Sequence, residues 1–305
     1  MAGTAVLLMA YGTPDSIEDI EPYLTDIRRG RKPTPDAVEE LKGRYLRIGG
    51  KSPLLEITRA QASAVEKQLT SQGMKTRVYV GMKHWHPYIR DVVPQIVGDG
   101  YVRLVGLVLA PHYSQVSIGG YKQALQEALH SSNSLHADFV ESWYNHPLFH
   151  RAVKEKVEDA LTQFAEPKEV GLVFTAHSLP ERILASNDPY PTQLTSSCHS
   201  VAGLLGRKWS FAYQSAGQTG EKWLGPDLIE YLRGLPAADR SKGVLVAPIG
   251  FVADHLEILY DIDVEAREFA ESSGLKLKRT ESLNTSPTFV SALTDIVRVH
   301  ARSQV

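Results

Sequence analysis

The hydrophobic positions of this chain fall into short continuous runs separated by longer periodic stretches. Runs rich in Val, Leu and Ala lie at 4–10, 77–81, 102–110, 171–176, 210–213 and 243–249, with weaker ones at 138–142 and 276–280. Residues 54–69, 115–130, 146–164 and 254–272 instead repeat apolar side chains at three- and four-residue spacing. Strands apolar on both faces belong in parallel sheets covered by helices on either side. The pattern predicts an α/β protein with doubly wound sheets. A last helix over 286–300 is expected to pack back against them.

The pattern occurs twice. LLMAYGTP (7–14) and LVFTAHSLP (172–180) each run from an apolar strand into a polar turn that ends in proline. VLAPHYSQVS (108–117) and LVAPIGFVAD (245–254) each run from a strand through Ala-Pro into a loop that opens a helix. Proline cannot continue a central strand, so it marks the carboxyl end in all four. Ligands of open α/β sheets bind outside those ends. We therefore expect two similar Rossmann-like domains, 1–150 and 151–305, with the chain crossing near 145–165. The four turns would wall a cleft between them.

Composition narrows the class. At 305 residues, with 43% hydrophobic and 22% charged positions, the chain is an ordinary globular protein able to bury a core without disulfides. Its 33 basic and 35 acidic residues give a net charge of −2, which argues against a nucleic-acid partner. No run approaches the ~18 apolar residues of a membrane span. The N-terminus lacks a basic region and reads as a first strand, so a cytoplasmic monomer is expected. One cysteine, Cys198, cannot build an iron–sulfur cluster within the chain and reads as an incidental thiol.

Candidate chemistry sits on the turns. Asp254 is expected to open a helix on which Glu257, Asp261 and Glu265, with Glu268 beyond, form one acidic stripe at four-residue spacing. Like charges so placed cost roughly 0.2–0.5 kcal/mol per pair, which a hydrated cation moving along the stripe would offset. Asp254 and Glu257 also fit a capping box. His177 ends a strand, and a neutral imidazole facing a carboxylate can accept a proton or bind Fe2+, Co2+ or Zn2+. Tyr11 holds the equivalent place in the first half and can stack, donate a hydrogen bond or ligate a metal. The basic run of Arg28, Arg29, Arg31 and Lys32 suits carboxylates, and Arg44, Tyr45, Ser52 and Tyr121 could add donors. His84 and His86 in HWHP make only a two-ligand pair, better read as structural.

MAYGTP, IRRGRKP, RYLRIGGKSPL, LAPHYS, TAHSLPE with DPYP, YQSAG with WLGPD, and PIGFVADHLEILYD stand in the order of the ferrochelatase family, which the chain resembles over nearly its whole length. Tyr11 and the polar IRRGRKP segment look most like the coproporphyrin III enzymes of Gram-positive bacteria. The resemblance implies insertion of Fe2+ into coproporphyrin III during haem synthesis, with transient contact to the next enzyme of the pathway. It implies His177 and Glu257 as the catalytic pair, Asp261 and Glu265 as a cation path, and Tyr11 as axial ligand of the iron product. It implies Arg28, Arg44, Tyr45, Ser52 and Tyr121 as porphyrin contacts, with Arg29 and His84 beside them. No tightly bound cofactor is implied beyond a divalent cation such as Mg2+ on the stripe. A protoporphyrin IX ferrochelatase, a porphyrin carrier, a sirohydrochlorin-type cobalt chelatase and an α/β-hydrolase are the rivals, the last lacking a G-x-S-x-G elbow.

Overall fold

The computed structural model describes residues 3–130, 134–217 and 219–302. The chain divides into two compact units, Met1–Trp143 with Asn284–Val305, and Tyr144–Leu283. In the first unit the elements run β1 (Thr4–Ala10), α1 (Ile20–Ile27), α2 (Pro35–Arg47), α3 (Leu54–Ser71), β2 (Thr76–Met82), α4 (Ile89–Gly98), β3 (Arg103–Val108), α5 (Ile118–Leu129) and β4 (His136–Val140). The second unit holds α6 (Pro147–Leu161), β5 (Gly171–His177), α7 (Tyr190–Leu205), β6 (Ser210–Gln214), α8 (Leu228–Arg233), α9 (Ala237–Arg240), β7 (Val244–Ala247), α10 (Leu256–Tyr260), α11 (Arg267–Ser272) and β8 (Leu277–Arg279). The terminal helix α12 (Pro287–Arg302) belongs to the first unit.

Each unit has one parallel four-stranded sheet, ordered β2-β1-β3-β4 and β6-β5-β7-β8. The orders are the same, so the sequence echo is a structural repeat: β1 answers β5 and β3 answers β7. In both sheets the chain leaves the first strand to one side and returns on the other. That reversal is the switch point where α/β sheets bind ligands. β1 and β5 are central and buried along almost their whole length, which explains their unbroken apolar runs. In the first unit Leu7, Met9, Val93, Ile96, Leu104 and Leu125 lie in one core cluster. In the second, Val173, Val246, Ile258, Ile262 and Ala266 do.

The units part after Trp143 and not at 150. The Trp143 indole donates to the Val108 carbonyl at 3.0 Å, and its ring lies 6.0 Å from that of Phe289. The terminal helix packs on α3 through polar pairs that sequence periodicity does not reveal. Gln68 Nε2 donates to Ser291 Oγ at 3.1 Å, and Thr294 Oγ1 donates to Gln68 Oε1 at 2.9 Å. Among the described residues no helix is long and apolar enough to cross a membrane.

The expected helix 254–272 is present as an unbroken helical run over 256–272, but it is not α-helical throughout. α10 starts at Leu256, a π-helical turn spans Asp261–Ala266, and α11 follows. The expected capping box is also absent: His255 is the N-cap residue and makes no side-chain cap, while Asp254 turns away to accept from Ser282 Oγ at 2.8 Å. The π turn has a sequence cause. Ile258, Ile262, Ala266 and Ala270 are all buried at four-residue spacing, which drifts about 40° per step on an α-helix. A wider i→i+5 turn keeps such a row on one face.

Candidate active site

β5 ends at His177, whose register partner on β6 is Gln214. Buried Gln214 ties three elements together. Its Oε1 accepts from Thr175 Oγ1 on β5 at 2.8 Å, and its Nε2 donates to the Glu257 carbonyl on α10 at 3.1 Å. Glu257 is thereby drawn to the end of β5, with His177 Nε2 at 3.4 Å from Glu257 Oε1. Gly250 supports the arrangement by close approach. Its N–H donates to the Thr175 carbonyl at 3.1 Å, and a Cβ there would lie 2.5 Å from that of Ala176. The loop so held brings the Phe251 ring to 6.3 Å from His177 and 4.9 Å from His255.

His255 is the residue that sequence reasoning missed. Its Nε2 lies 3.5 Å from Glu257 Oε2, so one carboxylate is flanked by two imidazoles. Both histidines have Nδ1 committed to a backbone carbonyl, His177 to Ser178 and His255 to Ala253. A carbonyl only accepts, so each Nδ1 carries the proton and each Nε2 is the reactive nitrogen.

The electrostatics follow. Burial pulls the His177 imidazole toward neutrality, but the Glu257 carboxylate outweighs it and raises the pKa above the usual 6.5. Burial also works to raise Glu257, yet His177 and then His255 hold it well below the carboxylate range. Both shifts favour the charged forms, which runs against the neutral resting His177 expected from sequence. Tyr190 Oη donates to the His177 carbonyl at 2.9 Å, and burial keeps its phenol protonated.

The acidic stripe divides. Asp261 is buried and accepts from Ser215 Oγ, where Ser215 has a left-handed φ of 61°. Glu265 is exposed. Among the described residues no group of three or more His, Cys, Asp or Glu side chains is placed to hold a metal ion. Cys198 is fully buried in α7, and burial raises its thiol far from the reactive range.

In the first unit, Tyr11 follows β1, is 43% exposed, and lies ring to ring with His84 at 4.7 Å. Gly12, at φ 101°, makes the turn possible, since a Cβ there would meet the Trp85 nitrogen at 2.8 Å. His84 Nδ1 pairs with Asp26 at 2.9 Å, while His86 packs against Tyr88 at 4.6 Å. The H-x-H pair is thus structural. Tyr45 is buried, its hydroxyl 2.8 Å from Thr13 Oγ1, and Ser52 is buried where its Oγ accepts from the Leu54 N–H at 3.4 Å. Arg44 pairs with Glu40 on its own helix at 2.9 Å. Tyr121 is also buried, with Lys83 Nζ 5.1 Å from its ring centroid. Burial, and then Arg29, lower the Lys83 pKa. Lys83 is a second residue missed from sequence. Arg28 caps α1 half-buried, and Arg29, Arg31 and Lys32 are exposed beyond it, with Arg29 at a φ of 55°.

Each unit thus carries ionisable groups at the carboxyl end of its parallel sheet. The chain aligns on the sirohydrochlorin chelatase SirB from Bacillus subtilis subspecies spizizenii in complex with cobalt, with a TM-score of 0.61 over 98% of this chain and 96% of that one. At 11% identity the likeness is one of fold. Sequence goes further. The ferrochelatase family profile matches residues 3–301. The ferrochelatase of Herpetosiphon aurantiacus is 46% identical over 97% of this chain and 98% of its own length. The coproporphyrin III ferrochelatase of Geobacillus kaustophilus is 41% identical over 96% and 94%. The chain belongs to the ferrochelatase family, and its activity is the insertion of a metal ion into a porphyrin.

Proposed function

We propose that the enzyme inserts Fe2+ into coproporphyrin III, with His177 accepting pyrrole protons and Glu257 receiving the metal. The observation that carries the chemistry is the 3.4 Å pair of His177 Nε2 and Glu257 Oε1. Insertion releases two pyrrole protons and strips water from the ion. A divalent cation at Glu257 replaces the imidazolium as the counter-charge of that carboxylate. The support Glu257 gives to a charged His177 is then lost, the imidazole releases its Nε2 proton to solvent, and Nε2 takes a pyrrole proton and passes it to solvent, the second pyrrole proton following the same route. Proton release and metal arrival are coupled through one carboxylate. Asp261, and Glu265 in open solvent, give the cation a graded approach.

The coproporphyrin assignment is supported by the exposed basic segment after α1 and by the lysine on Tyr121. Coproporphyrin III has four propionates and protoporphyrin IX two, so added cationic and polar groups favour the former. Arg28, Arg29 and Lys83 are the cationic candidates, with Arg44, Tyr45, Ser52 and Tyr121 as further porphyrin contacts. Propionate binding away from the ring nitrogens supplies energy to bend the macrocycle and bare a nitrogen lone pair. Tyr11 is the candidate axial ligand of the product iron. In this reading the enzyme is a cytoplasmic monomer and passes its product to the next haem-pathway enzyme by transient contact. The acidic row could also hold a divalent cation such as Mg2+. An anaerobic spectroscopic assay with Fe2+ and each porphyrin tests the substrate: a higher kcat/KM for coproporphyrin III is expected. Equal values, or a preference for protoporphyrin IX, would refute the assignment.

A further inference from the structure

The segment from Asp254 to Asp263 carries His255, Glu257 and Asp261, and both of its ends meet one side chain. Arg279, the last residue of β8, is only 14% exposed. Its Nε and Nη2 donate to the two carboxylate oxygens of Asp263, each at 2.7 Å. The same Nη2 lies 3.2 Å from Asp254 Oδ1, and Nη1 donates to the Thr280 carbonyl at 2.9 Å. Asp254 directly precedes His255, while Asp263 lies inside the π turn two residues beyond Asp261. A planar guanidinium can grip two carboxylates at fixed angles, which a lysine ammonium cannot.

The charge pattern gives this grip a second consequence. Residues 254–265 carry five carboxylates, those of Asp254, Glu257, Asp261, Asp263 and Glu265. Arg279 occupies two of them. The carboxylates that Arg279 does not engage are those of Glu257, which faces His177 and His255, and of Asp261 and Glu265.

We propose that Arg279 is a positioning residue for metal insertion, stapling both ends of the segment that bears Glu257 and masking the two carboxylates that would otherwise draw the ion aside. This rests on Glu257 being the metal-side group. Asp254 and Asp263 act through Arg279, to which both are bound. The clamp acts on the metal and leaves the porphyrin wall of the first unit alone, so its loss separates the two Michaelis constants.

The test uses the full-length chain with Fe2+ and coproporphyrin III under anaerobic conditions. Arg279→Met is expected to raise the KM for Fe2+ about tenfold or more, the usual scale for supporting groups of a metal site. The KM for porphyrin should stay within about twofold. Arg279→Lys should recover only part of the loss. The triple variant Arg279→Met/Asp254→Asn/Asp263→Asn removes the guanidinium together with both acidic partners, so no buried charge is orphaned and the fold can be checked by circular dichroism. It should still show the raised KM for Fe2+. A wild-type KM for Fe2+ in the triple variant, or equal rises for metal and porphyrin, overturns the proposal. Glu257→Gln separates the two ideas. If that variant inserts iron normally, the metal-side assignment falls and the clamp with it. If it is inactive while the Arg279 variants keep a wild-type KM for Fe2+, only the clamp falls.

Discussion

Replacing Gln214 by Leu tests whether the site is held by its polar bridge or by packing alone. Gln214 is 2% exposed and satisfies two groups, the Thr175 hydroxyl at 2.8 Å and the Glu257 carbonyl at 3.1 Å. Leucine has similar bulk but no donor or acceptor. Each orphaned buried group costs about 1–3 kcal/mol, so the two together should cost about 3 kcal/mol. Adding Thr175→Val removes one orphan, and the double variant should recover about 1 kcal/mol relative to the sum of the single changes. Urea unfolding of the wild type, both single variants and the double variant completes the cycle. Activity supplies a second readout: Glu257 loses its backbone anchor, so the KM for metal should rise more than that for porphyrin. A loss below about 0.5 kcal/mol, or strict additivity in the cycle, would refute the reasoning, because independent sites add within about that margin.

His177→Ala should reduce insertion by about 10²–10⁴-fold, the scale of a lost general base, while porphyrin binding followed by fluorescence quenching stays close to wild type. Near-normal metallation would exclude the proton role. By NMR, His177 should titrate above 6.5 in the wild type and fall in Glu257→Gln, because the carboxylate is what raises it; an unchanged titration would exclude that cause. Acid stability should reflect two other histidines, since burial lowers His84 and His150 below 6.5. Both stay neutral in the folded chain while the unfolded chain takes up protons, so stability should fall as pH drops below 6.5 toward their folded values. His177 runs the other way: raised, it contributes fully below 6.5 and fades as pH climbs through its folded value. Urea midpoints at pH 7.5 and 5.5 should show that acidification is less favourable to the wild type than to His84→Gln/His150→Gln; an equal change in both would refute the assignment. Gly250→Ala places a Cβ 2.5 Å from that of Ala176 and should cost about 1–3 kcal/mol by overpacking, with a neutral result in thermal unfolding counting against the close approach.

Most of the fold was legible because parallel strands buried on both faces write themselves as unbroken apolar runs. β1, β3, β5 and β7 were all marked, and the repeat of MAYGTP in TAHSLP correctly paired the ends of β1 and β5. The place of α12 was not legible, because what fixes it includes Gln68, Ser291 and Thr294, polar side chains whose pairing needs coordinates. The four-residue spacing of Glu257, Asp261 and Glu265 was visible, but it was read on an α-helix. The same spacing in Ile258, Ile262, Ala266 and Ala270 is the sign that the turn is wider. His255 went unnoticed although it stands two residues before Glu257, because its value lies in a ring nitrogen meeting the second carboxylate oxygen. The burial of Tyr45 and Ser52 and their local contacts were not legible, because the Thr13 and Leu54 partners are fixed only in the folded chain.

The π turn at Asp261–Ala266 makes this stretch unusually sensitive to its length. Losing one codon there would tighten the wide turn into an ordinary helical one and rotate everything upstream by about 100° relative to α11. Ile258 would leave its core cluster, and Glu257 would swing off the end of β5. A chain edited this way would keep every acidic residue and still have no place for its ion, because here the count of peptide units, as much as their chemistry, sets the aim.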